Sequence, residues 1–369
     1  MATAIRTHTE PVMTLPGRYY YDQSIFEQEQ ERLFSTSWVC VAKSDTLPVP
    51  GHFLVTNIGV ESVIVTRAQD GSLKAMLNVC RHRGARVCVA EQGRAKTFQC
   101  RYHAWGYALD GELLSAPNME EDPDFDRAEH GLHPVALTEW AGFIWLNLSD
   151  QPGSFADQLG FYYNRYDRYQ VGTLKVGRTI EYDVKANWKL LVENFNECCH
   201  CGPAHPELSA QVPSFKAGIV SGYLGGGALF EDGIESLTVT GKTNRPFFPG
   251  ITEADRRNYY GMTLRPNVFL NLHPDYVLIH IMRPMAADRT KITCHWLFTP
   301  EAIAQPDFEP DGAVDFWDLV NRQDWEICEL TQQGVRSKSY RDGGLYAPLE
   351  RHIRDFNDYV LAKLGHDAR

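Results

Sequence analysis

Two short segments, Cys80-Arg-His82 and Cys100-Arg-Tyr-His103, stand seventeen residues apart, and each carries one thiol and one imidazole. Such a pair constrains a fold more than any apolar pattern, because four donors have to meet while the loops that carry them stay rigid. Two mixed loops can put both cysteines on one iron and both histidines on the other. That is a [2Fe–2S] cluster in which imidazoles replace two thiolates and raise the reduction potential. Gly84 and Gly106 follow the two pairs and permit the tight turns such loops need. Trp105 and Tyr107 are suited to shield a cluster from water. Two other readings compete. A structural zinc also accepts two Cys and two His, although zinc fingers pair like with like. Four unrelated buried residues is the third reading. Cys88, between the loops, is assigned to packing.

The stretch around the loops is rich in short β-type runs. Trp38-Val-Cys-Val-Ala, His52-Phe-Leu-Val-Thr, Ser62-Val-Ile-Val-Thr and Gly142-Phe-Ile-Trp-Leu-Asn-Leu are broken by Gly, Pro and Asp. Residues 38–150 therefore read as a small all-β domain. Ahead of it, Ser24–Phe34 sets Ile25, Leu33 and Phe34 among Glu and Gln, which predicts a short amphipathic helix. It belongs to an N-terminal segment, 1–37, expected to pack on the second domain. Ser154 can cap a helix running to about Tyr169. After it come a strand at Thr179–Val184, a helix at Trp188–Cys199, strands from Tyr276 and Lys291, and long helices at 314–333 and 349–364. Strands followed by long helices predict an α+β domain over 151–369 with a mostly antiparallel sheet.

A second donor cluster follows the Trp188 helix: Glu197-Cys-Cys-His200-Cys-Gly-Pro-Ala-His205-Pro. His200 and His205 are five apart. On one continuous helix that is about 140° of rotation, so they would not share a face. Gly202 and Pro203 should end the helix and let the chain curl back. Two imidazoles plus a carboxylate from elsewhere make the facial triad of a non-heme Fe(II) site, with positions left open. A zinc site using Cys198, Cys199 or Cys201 is the rival, and an ordinary helix-end histidine the plain alternative. A thiol on an oxygen-handling iron is prone to oxidation, so the three cysteines are read as non-ligands.

Charge and composition narrow the classes. The formal net charge is −11, opposite in sign to a nucleic-acid footprint, so no nucleic-acid partner is expected. No apolar run reaches the length of a membrane helix. The opening Met1–Glu10 lacks the plan of a signal peptide. With nine cysteines, an odd number, the expectation is a reducing, cytoplasmic setting with thiols free or on metal rather than in a disulfide frame.

The two motifs in this order resemble the α subunits of Rieske oxygenases, and the resemblance spans nearly the whole chain. It implies a Rieske [2Fe–2S] domain on Cys80, His82, Cys100 and His103, and a helix-grip catalytic domain whose iron is held by His200 and His205. It favours Asp324 as the third ligand, over Asp315, Asp318 and Glu329 on the same helix. A carboxylate beside Trp325 on an apolar helix would otherwise be costly to bury. The resemblance further implies a separate reductase carrying flavin and often iron–sulfur, fed by NAD(P)H, and a homotrimer or a larger assembly of trimers. Glu197 would link His200 to a cluster histidine of the neighbouring subunit. Many members carry Asp where this chain has Glu197 and Tyr where it has Cys199.

Asn271-Leu-His-Pro-Asp-Tyr276 and Asn321-Arg-Gln-Asp-Trp325 through Gln332-Gln-Gly334 look like the branch acting on choline, glycine betaine, carnitine and stachydrine. The expected activity is therefore O₂-dependent hydroxylation or N-demethylation of a small methylammonium compound. Phe247, Phe248, Tyr259 and Tyr260 are candidates for an aromatic wall that holds the cation, with ordinary core as the competing assignment. Attack on an aromatic acid by the same scaffold is one alternative, and a zinc-stabilised binding protein is another.

Overall fold

The computed structural model describes residues 12–119, 121–220 and 226–367. The first eleven residues of the expected N-terminal segment lie outside them. The chain divides into two compact units: Gln30–Gly160, and Phe161 onward together with the stretch up to Glu29.

The Gln30–Gly160 unit is built of short antiparallel strands. Its four-stranded sheet runs in the order β4 (Leu73–Leu77), β3 (Glu61–Arg67), β2 (His52–Ile58), β5 (Gln92–Arg94). One three-stranded sheet joins β6 (Phe98–Gln99), β7 (Gly106–Tyr107) and β8 (Leu113–Ser115). The other has β1 (Val39–Lys43), β10 (Phe143–Asn147) and β9 (Ala136–Trp140). Val63, Ile64 and Val65 on β3 are fully buried, which accounts for an unbroken apolar run rather than an alternating one. The two donor loops are the connections after β4 and after β6. Each is a tight turn: Gly84 N–H donates to the Cys80 carbonyl at 3.0 Å, and Ala104 N–H to the Cys100 carbonyl at 3.0 Å. Gly84 takes the left-handed conformation that its loop needs, at φ +72°. In the second loop that conformation falls on Ala104, not Gly106; a Cβ on Gly106 would collide with the Ser115 hydroxyl. The Ser154-capped helix, α2 (Phe155–Leu159), is one turn long and stops at Gly160, φ +51°. The longer helix expected there is replaced by short 3₁₀ turns.

The other unit is organised on a six-stranded antiparallel sheet. Its order is β11 (Lys175–Val184), β16 (Arg289–Phe298), β15 (Val277–Ala286), β14 (Val268–Leu272), β13 (Asn258–Leu264), β12 (Ala228–Leu229). β13 and β14 are not among the strands expected from the sequence. Its helices are α1 (Gln23–Glu29), α3 (Trp188–Phe195), α4 (Cys201–Ala204), α5 (Pro206–Gln211), α6 (Pro213–Lys216), α7 (Pro300–Ile303), α8 (Asp311–Gly334) and α9 (Arg351–Leu364). The expected α+β architecture with antiparallel sheets is present. Helix α8 is pinned to the sheet by polar contacts as well as apolar ones. The Trp317 indole N–H donates to the Tyr276 hydroxyl at 2.8 Å, Tyr182 O–H to Asp318 at 2.6 Å, and His280 Nε2 lies 3.0 Å from Asn321 Oδ1. These bonds fix the rotation and register of α8.

The Trp188 helix ends earlier than the pattern implied. Asn187 caps its start, accepting from Lys189 N–H at 2.9 Å, and Asn196 closes it after Phe195. Glu197, Cys198 and Cys199 therefore lie beyond the helix. Gly202 and Pro203 do not break a helix either. They sit inside α4, where proline in a first turn loses no hydrogen bond.

Candidate functional site

The sequence motifs converge at two places. In the Gln30–Gly160 unit, Cys80 and Cys100 are buried in the core with Trp105 and Tyr107, while His82 faces solvent and His103 is half-buried. The two imidazoles are neighbours, with ring centroids 4.5 Å apart. Trp105 stacks on His82 at 5.0 Å and 9°. The Tyr107 hydroxyl lies 3.2 Å from Cys80 Sγ and accepts from Arg81 N–H at 3.1 Å. His103 Nδ1 is buried with no hydrogen-bond partner. An orphaned buried nitrogen calls for an unseen partner, and a metal coordinated at that atom would supply it. The donor set therefore fits a mixed Cys/His cluster. Cys88 is buried in the same core, as its assignment to packing requires.

In the other unit, His200 and His205 flank the single turn of α4, which brings their rings to 5.1 Å at 81°. Asp324 comes from α8. Its Oδ1 lies 3.2 Å from His200 Nε2 and 2.9 Å from His205 Nε2. Separations near 3 Å are what adjacent donors show around one ion with bonds of about 2.1 Å. The back of each ring is also engaged. Glu197 Oε1 holds His200 Nδ1, and Gln323 Oε1 lies 2.7 Å from His205 Nδ1. Each contact places the proton on Nδ1 and leaves Nε2 to face Asp324. The other Glu197 oxygen accepts from Cys199 N–H. Burial works against charge on His200, yet the Asp324 and Glu197 carboxylates outweigh it and push the imidazole up to about 9. Burial likewise pushes Asp324 up, and the two imidazoles overcome it and hold the carboxyl below its ordinary value. A pocket that holds protons this tightly is tuned for a cation. Of the rival carboxylates on α8, Asp318 is bound by Tyr182 and Arg322, and Glu329 by Lys185 N–H.

These groups open on a single cavity that is partly open to solvent. Trp317, Val320 and Asp324, at helical spacing on α8, line one side; Tyr259, Gly261 and Thr263, alternate residues of β13, line another. Tyr162, Phe195 and Phe215 complete the aromatic part. Of the expected aromatic wall only Tyr259 faces the cavity. Tyr260 points to the opposite face of β13 and bonds Asp255, Phe248 packs on Tyr169, and Phe247 on Arg256. The Asn271–Tyr276 stretch forms a supporting layer. Asn271 accepts from Tyr259 O–H, and His273 stacks on the Tyr259 ring at 5.2 Å. Among the described residues the lining holds two carboxylates, Glu197 and Asp324, and no lysine or arginine.

One cysteine pair departs from the free-thiol expectation: Cys198 and Cys201 form a disulfide, while the other seven are free. A bridge across three residues is a local feature and not a disulfide frame. No helix among the described residues is long and apolar enough to cross a membrane.

Residues 37–135 match the Rieske [2Fe-2S] domain, and residues 171–366 match the ring hydroxylating alpha subunit (catalytic domain). A Rieske domain followed by this catalytic domain defines a two-centre oxidoreductase, with a [2Fe–2S] cluster and a mononuclear non-heme iron. The chain belongs to the ring-hydroxylating α-subunit family of Rieske oxygenases. It is 30% identical to the glycine betaine monooxygenase oxygenase subunit of Chromohalobacter salexigens over 391 residues, covering 96% of this chain and 87% of that protein. It is 32% identical to the carnitine monooxygenase oxygenase subunit of Escherichia coli K12 over 339 residues, covering 90% and 86%. The structure of the quaternary ammonium Rieske monooxygenase CntA in complex with L-carnitine superposes with a TM-score of 0.71 at 26% identity, over 97% of this chain and 96% of that one. Naphthalene 1,2-dioxygenase from Rhodococcus sp. gives a TM-score of 0.76 at 21% identity, over 95% and 94%, a likeness of fold alone.

Proposed function

We infer that this chain hydroxylates an N-methyl group of a small methylammonium compound, of the betaine, choline or carnitine kind. The hydroxylated product then loses formaldehyde, and the net result is demethylation. One observation carries the reading: a cavity beside the His200–His205–Asp324 cluster that is aromatic and acidic and has no lysine or arginine among its described residues. A methylated ammonium ion is held well by aromatic faces and by nearby negative charge. An aromatic carboxylate would enter such a cavity without a charge partner, at a cost.

The residue roles follow. Cys80, His82, Cys100 and His103 hold the cluster; His200, His205 and Asp324 hold the mononuclear iron. When bound, these groups supply electron storage and O₂ activation, chemistry the side chains alone lack. Glu197 and Gln323 fix the ring orientation of the two histidines. Tyr259, Trp317 and Phe215 hold the cation, and the apolar wall excludes water. The 12–37 segment and residues 151–369 serve the iron centre, and 38–150 the cluster. A separate flavin and iron–sulfur reductase fed by NAD(P)H, a homotrimeric assembly and a cytoplasmic setting complete the reading; the naming of the relatives as oxygenase subunits supports the separate reductase.

The test is oxygen uptake and formaldehyde release by the purified chain with a surrogate reductase. Glycine betaine, carnitine, γ-butyrobetaine and choline are compared with aromatic acids. At least one methylammonium compound should stimulate both signals. Stimulation by aromatic acids alone would reject the reading.

A further inference from the structure

Cys198 and Cys201 enclose His200 within a four-residue ring closed by their disulfide. Both are at least 96% buried from outside, at 4% and 3% exposure, yet both line the cavity, so small molecules that enter it reach the sulfurs. A bridge over so short a loop restricts the unfolded chain little, so stability is a weak reason for it. The Cys-x-x-Cys spacing is instead that of pairs which exchange between disulfide and dithiol. Its position gives the exchange a consequence. Cys201 Sγ lies 3.9 Å from His200 Nε2, and Cys201, His200 and His205 each bring a donor atom within 4.8 Å of the others.

We propose that Cys198 and Cys201 are a reversible redox pair that sets how many protein donors the mononuclear site offers. As a disulfide, Cys201 has no thiolate, and the site presents His200, His205 and Asp324 with positions left open. As a dithiol, Cys201 becomes a fourth donor. Two imidazoles, a carboxylate and a thiolate form a closed four-coordinate set that suits zinc better than an oxygen-handling iron. The interconversion balances with ordinary thiol chemistry. One peroxide and the two thiols give the disulfide and two waters. A small dithiol reverses it by thiolate attack on sulfur, ending as its own cyclic disulfide while both protein thiols are regained. Cys199, exposed and next in sequence to Cys198, is not part of the pair.

This inference rests on His200 and His205 being metal ligands, and its test separates the two ideas. Full-length protein with an intact cluster spectrum is prepared reduced by a dithiol, or oxidised by peroxide with excess removed. Mass analysis after thiol alkylation should show two fewer reactive cysteines in the oxidised form, mapped to Cys198 and Cys201. Each form is then loaded with zinc alone and read at the zinc X-ray absorption edge, where the cluster irons do not interfere. The reduced protein should show a sulfur neighbour at about 2.3 Å, and the oxidised protein only nitrogen and oxygen. Cys201→Ser should lack sulfur in both states. The Cys198→Ser/Cys199→Ser double variant, with no partner for Cys201, should keep it in both. Imidazole-bound zinc without sulfur in the reduced protein would overturn the redox inference and leave the ligand assignment standing. Zinc whose spectrum shows no imidazole would overturn both.

Discussion

At the scale of single residues, the carboxylate of Asp324 does what no other group on α8 can. Asp318 and Glu329 are tied to partners on β11 and just beyond it, while Asp324 is turned toward two imidazoles. Asp324→Ala should therefore remove the mononuclear iron and leave the cluster's visible spectrum unchanged. Metal analysis alongside absorption measures both at once, and full retention of iron would move the ligand elsewhere. The orienting residue Gln323 gives a graded version. Gln323→Leu keeps size but removes the acceptor for His205 Nδ1–H, and iron affinity should fall by about 10–100-fold. A titration with Fe(II) that matches the parent protein would show that the ring is held by packing alone. The histidines were legible in the sequence because the Cys/His pairs and the Glu197–His205 cluster stand in one order along the chain, although Gly202 and Pro203 do not end a helix as expected. Gln323 was not, since a glutamine beside an aspartate on a helix carries no mark of what it accepts from. Nor were Tyr162, Phe215 and Trp317. They meet only through tertiary packing, whereas Phe247 and Phe248, adjacent in sequence and conspicuous there, pack on other residues.

Among the elements, α3 matters most, because the iron motif hangs from its end. It lies on a buried polar layer: Lys189 pairs with Glu29, both fully buried, and the Trp188 indole N–H donates to the same carboxylate at 2.8 Å. One turn further, Glu193 accepts from Tyr20 O–H at 2.8 Å. Burial pushes the Glu193 carboxyl up from its ordinary 4.5 to about 7, against the opposing pull of Tyr20, Asn357 and Lys189. A carboxyl raised on folding stabilises the fold most below the unfolded value and loses that contribution as pH rises through the folded one. Stability should thus decline between about pH 4.5 and 7. Glu193→Gln keeps an acceptor for Tyr20 and abolishes the titration. The variant should match the parent near pH 5 and exceed it by about 1–3 kcal/mol near pH 8. Denaturant unfolding at both pH values decides the matter; an equal difference at the two would mean that Glu193 does not titrate in this range. Such a layer is hard to read from sequence, since Glu29, Lys189 and Glu193 look like ordinary solvent-facing charges until the strands and helices close over them. The early end of α3 was equally hidden: Asn196 closes the helix with its own side chain, donating to the Val192 carbonyl at 2.7 Å.

On the scale of the whole molecule, two redox centres have to communicate, and we propose Glu197 as the residue that mediates between them. It holds His200 Nδ1 with one oxygen and the Cys199 N–H with the other, and its side chain keeps 13% exposure. A carboxylate has about four acceptor sites, so the exposed part retains room for a donor from another subunit. The cluster histidines are the outward members of their centre, since His82 faces solvent while Cys80 and Cys100 are buried. An exposed imidazole and a part-exposed carboxylate suit a link formed on assembly. Glu197→Gln tests this role apart from folding and metal binding. The amide oxygen still accepts from His200 Nδ1–H, so both metals, the cluster spectrum and the sedimentation of the parent protein should be retained. What the amide lacks is the negative charge that stabilises a cationic donor on its far side, together with the second acceptor that now serves Cys199 N–H, a loss the retained metals and spectrum control for. In single-turnover mixing with O₂ and substrate, loss of the reduced-cluster signal should slow by about tenfold or more, with product formed in step. Unchanged decay and product yield, with unchanged sedimentation, would show that electrons take a route that bypasses Glu197.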